Sequence, residues 1–164
     1  LSIFSRTALS SAVILMLVGA AVSFASVVSL KGTPQMISDA VLAITSNPYL
    51  LFFLVNVLLL VVGMLMDAGP AILILAPILA PVMINLGINP IHFAVVMSIN
   101  MIIGLITPPF GLVLFVISGI SKEKVESIAM EMMPMLAAEL IVLAMLTYIP
   151  DLVLFLPRLL GYAA

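Results

Sequence analysis

Apolar runs as long as a bilayer is thick decide what this chain can fold into. Leu9 to Leu30 contains no charged residue, and Tyr49 to Met66 is interrupted only by Asn56. About 20 such residues cross the hydrocarbon core as a helix. Composition agrees: 65% of the 164 residues are hydrophobic and 7% charged, with a mean hydropathy of +1.47. A soluble domain is about 45–50% apolar and about 25% charged. Five basic and seven acidic residues could not cover a water-facing surface, so the solvent is lipid. The fold class is all-α integral membrane. A net charge of −2 without a basic run leaves nothing to neutralise phosphates, which excludes nucleic acid as a partner. With no Cys and one His, disulfides and thiolate metal sites are excluded and zinc is disfavoured.

The chain opens on Leu1 without a cleavable signal pattern. Its first apolar run is therefore expected to span, bracketed by Arg6 and Lys31, and the start suggests a piece of something longer. Thr33 to Thr45 follows, with Thr33 as a cap before Pro34 and apolar residues at helical spacing. Too short to span, it reads as an interfacial amphipathic helix or a short connecting helix. A further apolar stretch, Ala71–Leu86, is expected to be broken by Pro77 and Pro81; Ile91–Ile103 and Leu112–Ile117 come next. Ser121–Glu131 is charged enough for a short surface helix, and Pro134–Ile149 is the last span, followed by a short apolar tail.

Two breaks stand out. At "MLMDAGP" the apolar block from Tyr49 to Leu86 is interrupted by Asp67, Gly69 and Pro70. Two full crossings would make this a surface loop. A re-entrant hairpin would instead put its tip inside the membrane, where an acid is costly and helix termini face a ligand. Asp67 is then a candidate cation-site residue. At "GLITPPFG" (104–111), Pro108 and Pro109 have no N–H, so the carbonyls of Gly104 to Ile106 should lose their intrahelical partners. Gly104 and Gly111 permit close approach, and Thr107 adds a hydroxyl. Free carbonyls plus a hydroxyl are hard-oxygen chemistry suited to Na⁺; a proline kink repaired by neighbouring groups is the plainer reading. Such breaks in hydrophobic segments point to a secondary transporter.

Other polar positions read as structural. His92 follows Asn89-Pro90 at a helix start and is expected at the interface. Asn56 and Asn100 read as interhelical hydrogen-bonding residues, with Asn100 one turn before the break. Glu139 reads as a partly hydrated scaffold site or a contact with another chain. The twelve Met residues form no stripe.

"GMLMDAGPAILILAPILAPV" (63–82), "LGINPIHF" (86–93), "GLITPPFGLVLFV" (104–116) and "YIPDLVLFLP" (148–157) together resemble the C-terminal part of the large membrane (M) subunit of TRAP transporters, the tripartite ATP-independent periplasmic transporters. The resemblance implies a multi-pass protein of the bacterial inner membrane. It would work in a Na⁺-coupled symport of small carboxylates (C4-dicarboxylates, keto acids or sialic acid) delivered by a periplasmic substrate-binding protein. Expected partners are a small membrane subunit, separate or fused, the N-terminal repeat of the same subunit, and the lipid bilayer. Na⁺ is the coupling ion and no organic cofactor is implied. The resemblance further implies an elevator-type ion-transporter half with a re-entrant helical hairpin and a broken transmembrane helix. Residues 1–48 would be a scaffold helix plus an interfacial arm helix, and 49–120 the transport-domain half. Within that half the hairpin is 49–86, its tip 66–70, and the broken helix 89–118. Residues 121–164 would be a short surface helix and the last scaffold helix. Carried onto matching positions, the Na⁺ site falls on Asp67, Ala68 and Gly69 at the tip and Gly104, Ile106 and Thr107 in the loop; Asn100 and Pro108 are substrate-side candidates. The first repeat would supply half of the substrate cavity and one cation site, so this chain alone should not transport.

Two rival classes are weaker. An intramembrane aspartyl protease needs two facing carboxylates, and besides Asp67 only Glu139 and Asp151 lie in or beside the spans, neither in a motif; an enzyme is not expected. The second rival is a channel or a non-transporting structural membrane subunit; a channel should show a polar stripe along one helix, and none is visible. Basic residues at inferred inside positions (Arg6, Lys122, Lys124) outnumber those outside (Lys31, Arg158) by too little to orient the chain.

Overall fold

The computed structural model describes residues 2–32, 36 and 47–162, and among them there are helices and no strands. The helices are α1 (Ser2–Leu30), α2 (Pro48–Leu65), α3 (Ala68–Asn85), α4 (Pro90–Ile106), α5 (Leu112–Ser121), α6 (Val125–Tyr148) and α7 (Pro150–Leu159). Four of them, α1, α2, α3 and α6, are long and apolar enough to cross a membrane. Of the amphipathic helix expected over 33–45, all but Met36 lies outside the described residues.

Helix boundaries follow local chemistry. Asn47 caps α2, its side chain accepting from Tyr49 N at 3.0 Å, with Pro48 at the first helical position. Asp67 caps α3 through Gly69 N at 3.0 Å. Asn89 caps α4 through Ile91 N at 2.9 Å, again followed by a proline. In each case a side-chain oxygen satisfies an N–H that the first turn leaves without a partner.

Three boundaries differ from the sequence reading. α1 starts at Ser2 rather than Leu9, because a single Arg6 without Pro or Gly does not stop a helix. α3 runs unbroken through Pro77 and Pro81. The surface helix expected over 121–131 is not separate: after a turn at Lys122, whose φ is 65°, the chain enters α6 and continues through Pro134 into the last span. The tail forms its own short helix, α7, in which Arg158 pairs with Asp151.

The core lies along the crossing of α2 and α4. Leu51, Phe52, Val55 and Leu59 of α2 meet Phe93, Val96, Met97 and Met101 of α4. The two helices run parallel: Phe52 meets His92 and Phe93 at one end, Asn56 meets Asn100 in the middle, and Gly63 meets Gly104 at the other. α3 packs mainly on α4, α1 covers α3, and α6 lies antiparallel against α4. Lipid tails are as apolar as leucine, so close packing and hydrogen bonds rather than water exclusion choose which faces turn inward.

Both devices are present. Asn100 Nδ2 donates to Asn56 O and Oδ1, each at 3.0 Å. Asn56 Nδ2 donates to Thr147 Oγ1 at 2.9 Å, and Thr147 donates to Leu143 O at 2.7 Å. This relay ties α4, α2 and α6 together. A second tie joins His92 Nε2 to Leu146 O at 2.8 Å. His92 is thus buried, at 3% exposure, and Nε2 carries the proton in that contact because a carbonyl only accepts. Replacing Thr147 by valine keeps the shape and removes the acceptor. It should lower stability by about 0.6 kcal/mol and at most about 1.7, read as the midpoint of unfolding in detergent; no change would mean that the Asn56–Thr147 hydrogen bond does not hold α6 in place.

Candidate functional site

The parallel course of α2 and α4 brings the two sequence breaks to the same end of the bundle. Gly63 and Gly104 are in backbone contact: a Cβ on Gly104 would sit 2.7 Å from the Gly63 Cα and carbonyl carbon, and 3.0 Å from Leu60 O. The turn between α2 and α3 follows Gly63 by one turn, and the Thr-Pro-Pro break follows Gly104 by one turn. At about 1.5 Å of rise per residue both lie within roughly 6 Å, along the axes, of that contact. Gly104 therefore serves first as a packing residue.

At the break the carbonyls are unequal. Pro108 stands where Gly104 O needs an N–H, and Thr107 N takes its place at 3.0 Å, so Gly104 O is not free as the sequence suggested. Pro109 stands where Leu105 O needs one. Among the described residues no backbone N–H donates to Leu105 O or Ile106 O. Thr107 is buried; its Oγ1 donates to Ile103 O at 2.7 Å, leaving its lone pairs to accept or to coordinate. Gly111 N closes the turn on Thr107 O at 3.0 Å. Gly111 also backs directly onto the loop: a Cβ there would stand 2.6 Å from Leu105 O and 3.0 Å from Thr107 O. Pro108, half-buried, and the exposed Pro109 form the outer lip.

At the tip, Met66 N still bonds to Val62 O at 3.1 Å and the turn to α3 takes two non-helical residues, Met66 and Asp67. The Asp67 carboxylate is exposed and uses Oδ1 for the cap, so its other oxygen remains available. Ala68 and Gly69 belong to the first turn of α3, where the N–H groups and the positive end of the helix dipole are presented. Asn100 is fully buried in the α2–α4 seam, and its Nδ2 is committed to Asn56. No cluster of three or more His, Cys, Asp or Glu occurs among the described residues. The oxygens at this end, carbonyls, one hydroxyl and one carboxylate, suit a hard cation rather than a soft metal that seeks thiolate or imidazole.

The family profile described as "Tripartite ATP-independent periplasmic transporter, DctM component" matches residues 1–152. The chain belongs to this family. Among its relatives is the large permease protein of a sialic acid TRAP transporter from Vibrio cholerae, 36% identical over 163 residues, which are 99% of this chain and 38% of the relative. That of a 2,3-diketo-L-gulonate TRAP transporter from Escherichia coli is 40% identical over 88% of this chain and 34% of the relative. That of a C4-dicarboxylate TRAP transporter from Rhodobacter capsulatus is 37% identical over 92% of this chain and 34% of the relative. The chain thus spans little more than a third of the length of these TRAP permeases.

Within this TRAP-family chain the pieces found by sequence were the tip and the proline break. What sequence missed were Gly63 and Thr147, the partners that align them. A glycine inside each of two apolar helices is the one signal that pointed to Gly63. A cavity of about 340 Å³ lined by Asn89, His92, Thr147 and Arg158 opens at the opposite end of α2 and α4, away from both breaks.

Proposed function

We propose that the chain is the C-terminal part of the large permease subunit of a Na⁺-coupled importer. Its substrate is a small carboxylate of the C4-dicarboxylate, keto acid or sialic acid class, handed over by a periplasmic binding protein. The observation that carries the reading is the convergence at one end of the bundle. There the unpartnered Leu105 and Ile106 carbonyls and the Thr107 hydroxyl lie beyond the Gly63–Gly104 contact, with the Asp67-capped tip beside them. Na⁺ would be held by those oxygens, with Asp67 supplying negative charge and Ala68, Gly69 and Gly104 shaping the backbone around it. Pro108 and the Asn100 turn lie on the substrate side. The α2–α3 pair acts as a re-entrant hairpin whose tip orders when the ion binds. The transport half then slides against a scaffold, as an elevator, in the inner membrane of a bacterium. A small membrane subunit, separate or fused, and the first repeat of the permease complete the machine. If α6 were to stay with the scaffold, each stroke would break the Asn56–Thr147 and His92–Leu146 hydrogen bonds.

Proteoliposomes holding the full membrane complex, with its binding protein outside, test the reading. Uptake of a radiolabelled carboxylate panel should require an inward Na⁺ gradient. Because Asp67 caps α3, its replacement by alanine would cost about 1 kcal/mol of helix stability and blur the result. Asp67→Asn keeps the cap and removes the charge. Asp67→Asn and Thr107→Ala should each raise the Na⁺ concentration for half-maximal uptake; Asp67→Asn should leave the unfolding midpoint nearly unchanged, and Thr107→Ala should lower it only by the ~1 kcal/mol of the lost hydrogen bond to Ile103 O. Wild-type Na⁺ activation in both variants would sink the site.

A further inference from the structure

Glu139 has no role in the site described above, and its surroundings are unusual. It lies on α6 where that helix passes α4, in a groove of about 340 Å³ otherwise lined by Ile99, Ile102, Ile103, Ile106, Ala138 and Val142. Its Oε2 is sealed from the surface and accepts no hydrogen bond. The only other buried side-chain atom among the described residues in that condition is Asn100 Oδ1, whose amide is anchored through Nδ2. None of the other groove side chains can donate or accept, so the carboxyl group gains a partner only from outside these helices, by turning Oε2 toward the open face of the groove.

Depth narrows the choice of partner. Glu139 is about 21 Å along α6 from Val125 and about 13 Å from Tyr148, too deep for a lipid headgroup to reach, and lipid tails carry no donor. A carboxyl group at that depth is costly without a partner and favours pairing with an N–H or O–H group. The neighbouring Ile102 is 59% exposed, an uncovered face on a helix otherwise enclosed by α2, α3 and α6. The groove also runs into the break: Ile106 is the last residue of α4, and Ile103 O receives the Thr107 hydroxyl.

We propose that this groove seats a transmembrane helix from the part of the large permease that lies outside these residues. A basic, amide or hydroxyl side chain on that helix donates a hydrogen bond to Glu139. The relatives carry about two-thirds of their length beyond the matched region, and the groove adjoins the end of α4 that a second part of the permease must complete. The proposal rests on the family assignment and is independent of which ion, if any, is coupled.

The test places the photocrosslinker benzoylphenylalanine at Ile102 in the full permease complex in native membranes. Cross-linked peptides are then mapped by mass spectrometry. The expected product joins Ile102 to an apolar segment of the same polypeptide outside the 164 residues, with a donor side chain within one or two turns of the attachment point. Glu139→Ala should lower the yield about three-fold or more, and Glu139→Gln, which keeps an acceptor oxygen and the volume, should restore most of it. Products formed only with lipid, with the small subunit or with a second copy would overturn the proposal, as would a yield indifferent to Glu139→Ala. Should Glu139→Ala fail to assemble, the wild-type product at Ile102 decides by itself. Uptake is not measured, so a failure here does not bear on Na⁺ coupling.

Discussion

Gly104→Ala will push α2 off α4 and destabilise the protein by about 1–3 kcal/mol, the range for forcing added methylenes into a packed interior. The new Cβ would lie 2.7 Å from two backbone atoms of Gly63 and 3.0 Å from Leu60 O, so no flexible side chain can yield. Gly63→Ala is milder, with its nearest atoms Met101 O at 2.9 Å and Gly104 Cα at 3.1 Å. The double variant should cost less than the sum of the two, because the first alanine already separates the helices and the second then finds room. Gly119→Ala is the control: a Cβ there meets nothing within 4 Å, and alanine in a helix interior should be neutral or stabilise by up to about 1 kcal/mol. The measurement is the unfolding midpoint in detergent or bicelles. A Gly104→Ala protein as stable as Gly119→Ala would mean that α2 and α4 are not in contact at this point, and the alignment of tip and break would fall with it.

If the proposed ion site is right, Gly111→Ala should leave the fold largely intact and weaken ion binding in the whole transporter. Gly111 has a negative φ of −40°, so alanine meets no left-handed penalty. What it meets is the loop: Leu105 O at 2.6 Å, with the Ile106 carbonyl carbon and Thr107 O at 3.0 Å. The strain, about 1–3 kcal/mol, is most easily relieved by displacing the carbonyls of 105–107, which no regular helix ladder holds. If those carbonyls ligate Na⁺, the same energy appears as a roughly 5- to 150-fold weaker Na⁺ affinity. Na⁺ activation curves in proteoliposomes, read beside the unfolding midpoint, separate the outcomes. A normal activation curve in a folded Gly111→Ala transporter would place the ion elsewhere. A matching loss of stability would make Gly111 a packing residue only.

Much of this was legible without coordinates because its causes are local. A helix cannot leave its backbone unsatisfied in lipid, so long apolar runs determine all-α spans. A proline removes an N–H whatever the tertiary context, so the position of the break, and the loss of a partner at Leu105, follow from sequence. Asn or Asp before a first turn announces a cap, and Asn47, Asp67 and Asn89 all act so. The ordered strings at 63–82, 86–93, 104–116 and 148–157 were enough to place the family.

What depended on tertiary structure were pairings between residues far apart in the chain. Gly63 and Gly104, Asn56 and Thr147, and His92 and Leu146 are joined by the crossing register of α2, α4 and α6, a quantity that no single helix encodes. In a lipid solvent, apolar periodicity does not mark the buried face, since lipid and protein interior are alike in polarity. For that reason the burial of His92 against α6 was not legible in the sequence, and Gly104, read as a free carbonyl, proves to be a packing contact. Composition and local chemistry thus determined the elements and their breaks; only the three-dimensional packing decided that the two breaks lie at one end, because that choice is made by which small and polar residues meet when helices cross.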